Sequence, residues 1–202
     1  SGLERAKSST WQVLGQQVLI SPLISPNLEP LLDPDKPAGI PRQVLDHNIE
    51  LSRKNLPLLL DTWDGYDAAR QRLLGDLQDL AGNPVILSGD LHTALAGNIV
   101  PRGGTAPVAI EFMTTSVTSP GISKYLPEIR HNAISDASLK LNPDLVYMET
   151  YRHGWLHMQF THEECVGEWH LLDGIRTETY SIEVDRRLSV RAGEIAAGLR
   201  DA

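Results

Sequence analysis

At 202 residues the chain is long enough to bury a hydrophobic core. Its 26 acidic and 18 basic side chains leave a formal charge of −8 without an extended basic block, which argues against binding a nucleic-acid backbone. One cysteine, Cys165, excludes an internal disulfide, and no apolar run approaches the roughly 20 residues that cross a bilayer as a helix.

Residues 11–20 carry two short apolar stretches around Gly15 and read as a strand entering a turn. Seven prolines between Pro22 and Pro57 break any long helix, leaving a loop over 21–40 and a short helix over 43–54. Leu73, Leu74, Leu77 and Leu80, spaced among Asp, Arg and Gln, predict an amphipathic helix over 67–80. Gly82-Asn83-Pro84 stops it, and residues 84–89 are a short apolar run of the kind buried in a parallel sheet. Residues 108–113 repeat that pattern after a turn at Gly103-Gly104. A hydroxyl-rich loop over 116–125 and one helix within 128–141 follow. Residues 155–160 and 166–172 alternate in polarity across a four-residue connection at 161–164, the pattern of a β-hairpin. Residues 181–184 add a strand, and the tail over 192–202 reads as a short helix.

Chemistry concentrates where the apolar runs end. The run Val85-Ile86-Leu87-Ser88 feeds Gly89 and then presents Asp90 and His92 beyond a strand's carboxyl end, where open α/β sheets gather ligands. Two residues apart on extended backbone, they point to one side and offer an oxygen and an imidazole nitrogen to a metal. The alternative is that Asp90 caps a turn and His92 is an ordinary loop histidine. In Asp61-Thr62-Trp63-Asp64-Gly65-Tyr66, Asp64 is a candidate N-cap for the helix, as is Asp67. In a functional reading Trp63 and Tyr66 wall a pocket while Asp61 or Asp64 supports a metal or orients a ligand. The hydroxyls and turning amides of residues 114–121 suit a phosphate oxygen. Arg152 offers a cation to an anion and His153 a metal ligand or a proton, although a histidine ahead of a strand also fits a plain surface position. His157, His162 and His170 lack ligand spacing along the chain and read as strand or surface residues. Cys165, beside Glu163 and Glu164, is disfavoured as a thiolate nucleophile.

Five motifs, taken in order, resemble one family. They are Trp11-Gln12-Val13-Leu14-Gly15-Gln16-Gln17; Asp61 to Tyr66 with Arg70, Leu73 and Leu74; Val85 to His92; Glu111-Phe112-Met113-Thr114-Thr115-Ser116 with Thr118 to Gly121; and Asn142-Pro143 ahead of Arg152-His153-Gly154-Trp155. Together they are similar to the carboxyl-terminal half of the PhoD-like alkaline phosphatases, within the calcineurin-like metallophosphoesterases. The resemblance implies an α/β fold, part of a four-layer α/β/β/α sandwich, here with a carboxyl-terminal β-hairpin. It also implies hydrolysis of phosphate esters at a bimetallic or multimetallic centre of iron and calcium, with Asp90 and His92 in the metal shell. Trp63, Asp64 and Tyr66 then lie near the pocket. Where the family often has Asn-Pro-His, this chain has Asn142-Pro143-Asp144, so that histidine's role is not carried over.

The family's early Asp-containing motifs belong upstream of Trp11, and ten residues precede it here. The expectation is therefore one domain over 1–202, the carboxyl-terminal half of a metallophosphoesterase catalytic domain. It would supply part of an active site and depend on an amino-terminal half from the same gene or a second chain, with little turnover alone. In the complete enzyme, water attacks phosphorus in line, and His92 or His153 protonates the leaving alkoxide. Arg152, Trp63, Asp64 and Tyr66 stand on the substrate side. By family, the location is extracytoplasmic. The rival readings are a phosphodiesterase or phospholipase with the same centre, and a binding or structural module that keeps the fold without metal.

Overall fold

The computed structural model of the chain describes residues 2–33, 35, 41–80, 82–130 and 132–202. Residues 34 and 36–40 of the expected proline-rich loop, and His131 of the expected helical region, lie outside that set. Strands β1 (Gln12–Gly15), β2 (Pro84–Ser88), β3 (Ala94–Ile99), β4 (Ala109–Met113) and β5 (Leu145–Glu149) form one sheet in the order β1-β2-β4-β3-β5. β2 is parallel to β1 and β4, whereas β3 is antiparallel to both β4 and β5. β1, β2, β4 and β5 therefore end at one edge, and the loops leaving them share it. Strands β6 (Gly154–Phe160), β7 (Glu164–Leu172), β8 (Ile182–Arg191) and β9 (Arg200–Asp201) form a second, antiparallel sheet. The helices are α1 (Gly2–Ala6), α2 (Arg42–Arg53), α3 (Asp67–Leu80), α4 (Ile122–Tyr125) and α5 (Ala133–Leu141).

Side-chain alternation along β4 sorts the layers. Ile110 and Phe112 face the second sheet and pack with Val85, Trp169, Leu171 and Leu188. Ala109 faces Leu74 and Leu77 of α3, and Met113 meets Leu19, Leu23 and Leu145. Helices, first sheet and second sheet thus stack as three of the layers expected for the sandwich, and the hairpin β6–β7 is in place. The fully buried Trp169 donates its indole N–H to the Met113 carbonyl at 2.9 Å, fastening sheet to sheet.

One fully buried side chain on the helix side of β4 is a carboxylate. Glu111 accepts hydrogen bonds from the backbone N–H groups of Ile20 (2.9 Å) and Ser21 (2.7 Å) and from the hydroxyls of Ser21 (2.6 Å) and Ser88 (2.7 Å). This explains why the strand expected over 11–20 stops at Gly15. Gln16 N–H still meets the Leu87 carbonyl of β2 and the Gln17 carbonyl still takes Gly89 N–H, and beyond them the chain crosses to β4, where the N–H groups of Ile20 and Ser21 find a side-chain acceptor rather than a strand partner. Arg70 of α3 completes the tie by donating Nε–H to the Ile20 carbonyl at 2.8 Å.

The tail differs from the expected helix. β8 runs on to Arg191, residues 195–197 make a single 3-10 turn, and β9 pairs with Leu188 and Ser189. Gly198 at φ 77° ends the turn in a conformation no helix continues, and Leu199 N–H is taken by the Asn98 side chain at 2.9 Å.

Burial, the largest influence, lifts the Glu111 carboxyl above the glutamate range against the pull of the Ser21 and Ser88 hydroxyls and the two N–H groups. The folded protein then keeps a proton that the unfolded chain has released. Stability from this group is complete below the unfolded value and is lost as pH rises through the folded one. Glu111→Gln turns an NH2 toward two donors. Urea unfolding is expected to show it less stable at mildly acidic pH by about 1–3 kcal/mol, with a flatter decline toward neutral pH. A variant with the parent's midpoint and pH profile would remove Glu111 from this role.

Candidate active site

Three loops meet at the shared edge: residues 89–93 after β2, 114–121 after β4 and 150–153 after β5. His92 Nδ1 lies 2.9 Å from the Pro120 carbonyl, and His153 Nε2 lies 3.1 Å from the neighbouring Ser119 carbonyl. The two histidines are thus fixed by consecutive carbonyls of one loop. The Thr115 hydroxyl stands between their segments, 3.2 Å from the carbonyls of both His92 and Arg152. Gly121 closes the junction: a Cβ there would lie 2.7 Å from the His92 carbonyl. The hydroxyls of Thr114, Thr115 and Ser116 are therefore spent on backbone carbonyls of these loops.

A carbonyl oxygen only accepts, so His92 carries its proton on Nδ1 and leaves Nε2 with a free lone pair. This is the arrangement that orients an imidazole for a metal. Asp90 is exposed, and its carboxylate has no hydrogen bond or ion pair to a described residue. By residue type the pair offers an oxygen and an imidazole nitrogen. The expected backbone does not hold: Asp90 (φ 69°) and His92 (φ 51°) are left-handed rather than extended. Such positions cost about 1–3 kcal/mol each and cluster at functional sites. Among the described residues Asp90 and His92 belong to no group of three convergent metal donors.

The other expected site residues divide into two kinds. Trp63 lies at the same edge, donating its indole N–H to the Gln16 side chain at 3.1 Å just past β1, while Gln17 accepts from Gly89 N–H at 3.0 Å. Tyr66 is exposed, without hydrogen bond or ring contact to a described residue. Asp64 does not cap the helix: the 3-10 turn Trp63–Tyr66 runs straight into α3, and the Asp64 carboxylate accepts Leu23 N–H at 3.0 Å. Burial raises its pKa, against the Leu23 N–H and Arg70.

Arg152 is likewise committed within the fold. Its Nε donates to Glu149 at 2.9 Å, and its terminal nitrogens pair with Glu183 and Asp185 of β8. Burial opposes its charge, but the bonds from Asp185 and Glu149 more than offset that and hold the guanidinium protonated. One cation among three carboxylates presents net negative charge, a poor match for a phosphate. Arg152 instead ties β5 to β8 and sets the position of His153. Cys165 is buried, which pushes its thiol up to about 12.

Beside His153 opens a cleft of about 700 Å³, reaching Gly121 on one side and the β7–β8 connection on the other. Lys124, Arg130 and Arg176 line it, all exposed and none with an ion pair to a described residue. In a chain of net charge −8 this is a local concentration of uncommitted positive charge.

A family model described as PhoD-like phosphatase matches residues 1–169. The chain belongs to this family. Alkaline phosphatase D of Bacillus subtilis (strain 168) is 28% identical over 117 residues, which make up 56% of this chain and 19% of the relative. A solved structure of PhoD superposes on the whole chain with a TM-score of 0.69 at 20% identity, over 34% of the solved chain. The PhoD-like fold is thus shared throughout, while the chain spans about a third of the solved relative and about a fifth of the curated one.

Sequence reasoning missed Thr115 and Gly121 as the pins of the site, although both lie in the hydroxyl-rich loop it singled out. Their role is visible only when β4 and β5 are placed in one sheet. If left-handed backbone at Asp90 is held for function, Asp90→Gly should leave unfolding free energy unchanged or raised by up to about 1 kcal/mol. Denaturant titration checks this; a loss of stability would mean that Asp90 serves the fold.

Proposed function

We propose that this PhoD-like chain supplies part of an active site that hydrolyses phosphate esters with the help of metal ions. The observation that carries the reading is the pairing of His92 and His153 on consecutive carbonyls, close in chain to an Asp90 without a partner among the described residues, at the edge where four strands end. Asp90 and Nε2 of His92 would hold a metal. When bound, such an ion acts as a Lewis acid toward phosphoryl oxygens and makes water more acidic; iron and calcium are the ions the family resemblance suggests.

The chain's own groups do the rest. His153 is held through Nε2, so its Nδ1 faces away from the Ser119 carbonyl; as imidazolium it delivers a proton from Nδ1 to the leaving alkoxide. In that displacement a water oxygen bonds to phosphorus as the opposite phosphorus–oxygen bond breaks. Lys124, Arg130 and Arg176 draw the anionic ester into the cleft. Trp63 and Tyr66 stand on the substrate side, and Asp64 and Arg152 act as positioning residues. A two-metal centre needs more donors than Asp90 and His92, and these would come from the part of the family fold that lies outside the 202 residues. By family resemblance the enzyme works outside the cytoplasm; no described helix is long and apolar enough to cross a membrane.

In the complete enzyme, His92→Ala should lower kcat/KM for p-nitrophenyl phosphate by at least a hundredfold while the far-ultraviolet spectrum is kept. Lys124→Ala with Arg176→Ala should raise KM several-fold, with kcat little changed and a weaker dependence on salt. Comparing p-nitrophenyl phosphate with its bis ester separates monoesterase from diesterase. Parent-like turnover in His92→Ala excludes the assigned site, and a complete protein without metal or turnover would favour a binding module.

A further inference from the structure

His157, Glu168 and His170, read from chain spacing as plain strand residues, converge on the outer face of the second sheet. The cause is hairpin register. Phe160 and Cys165 close the turn, so His157 falls directly opposite Glu168 and Trp155 opposite His170. Glu168 and His170 are two residues apart on one strand and so share a face. Their three donor atoms all lie within 4.8 Å of one another: Nδ1 of His157 is 3.7 Å and Nε2 of His170 is 3.3 Å from the same oxygen, Oε2 of Glu168. Metal bonds of about 2.0–2.1 Å in a tetrahedral shell place neighbouring donors about 3.3 Å apart, so small side-chain rotations complete the fit.

From this geometry we propose that His157, Glu168 and His170 form a binding site for a divalent cation of the zinc, copper or nickel class, clamping β6 to β7. Two imidazoles and one carboxylate are the donor set those ions favour over calcium or magnesium. The surroundings support it. Arg187 of β8 holds the other carboxylate oxygen, Oε1, through Nε at 3.2 Å, which leaves Oε2 turned to the histidines. Arg187 is the cation facing the cluster and is already engaged by that oxygen. The Trp155 ring lies parallel to the His170 ring, 3° off plane at 5.2 Å, and fixes its orientation. His157 is 58% exposed, so the ion has an open approach and a position for water. The inference does not depend on the phosphoesterase reading.

Calorimetric titration of the 202-residue chain with Zn2+ and with Cu2+ tests it. One equivalent should bind, and thermal unfolding should shift upward with metal. His157→Ala, His170→Ala and Glu168→Gln should each weaken binding at least tenfold and abolish the shift. Asp90→Ala with His92→Ala should keep the equivalent that His157→Ala and His170→Ala lose, which separates this site from the one proposed at the loop edge. Cu2+ should quench a part of the tryptophan emission that Trp155→Phe lacks, while Trp155→Phe still takes up one equivalent. No binding by the parent, or unchanged affinity in His157→Ala with His170→Ala, overturns the proposal.

Discussion

A carboxylate with no access to water holds the first sheet and its crossing segment together. Burying a carboxyl group is costly unless donors surround it, and Glu111 of β4 receives four hydrogen bonds from two other stretches of chain, residues 20–21 and Ser88. Ser88 is the last residue of β2, one position before the turn that presents Asp90 and His92. The same side chain that seats the crossing segment therefore anchors the base of the candidate site. The rest of the edge is built outward from it, with Gln17 accepting from Gly89 and Trp63 closing over Gln16.

Charge is distributed around the site by function. Three carboxylates converge on Arg152, where Glu149, Glu183 and Asp185 strap the two sheets together and Tyr147 adds its hydroxyl to Asp185 at 2.7 Å. That strap fixes the segment bearing His153 and takes Arg152 out of contention as an anion receptor. Positive charge without such commitments gathers across the cleft instead. Asp90, strained and without a partner among the described residues, is the reverse of a stabilising residue. That combination is expected where a local cost is carried for a ligand.

Much of this architecture is written in local pattern. The leucine stripe of α3, the apolar runs of β2 and β4 and the alternating β6–β7 hairpin are all legible, because each element's burial shows as its own period. β3 is not: Ala94-Leu95-Ala96-Gly97-Asn98-Ile99 has weak strand propensity and is a strand because β4 and β5 flank it. The tail departs from its helical pattern for the same reason, since pairing with β8 outweighs local helix preference. In the site, Asp90 and His92 stand out by residue type, but their left-handed backbone defeats an argument from extended geometry. Arg152 and Asp64 look available in sequence and are consumed by partners far along the chain. The His157, Glu168 and His170 cluster was hidden because its ligands are adjacent across strands and not along one.

The central claim is that the Pro120 carbonyl fixes His92 with Nδ1 protonated and Nε2 bare toward a metal. Long-range 1H–15N correlation spectra of the histidine side chains, with His92 assigned by substitution, read the tautomer directly. The account predicts a neutral His92 protonated at Nδ1, whose Nε2 signal moves when a divalent ion is added to the complete enzyme. A His92 protonated at Nε2, or an Nε2 signal indifferent to metal in an active enzyme, would contradict it.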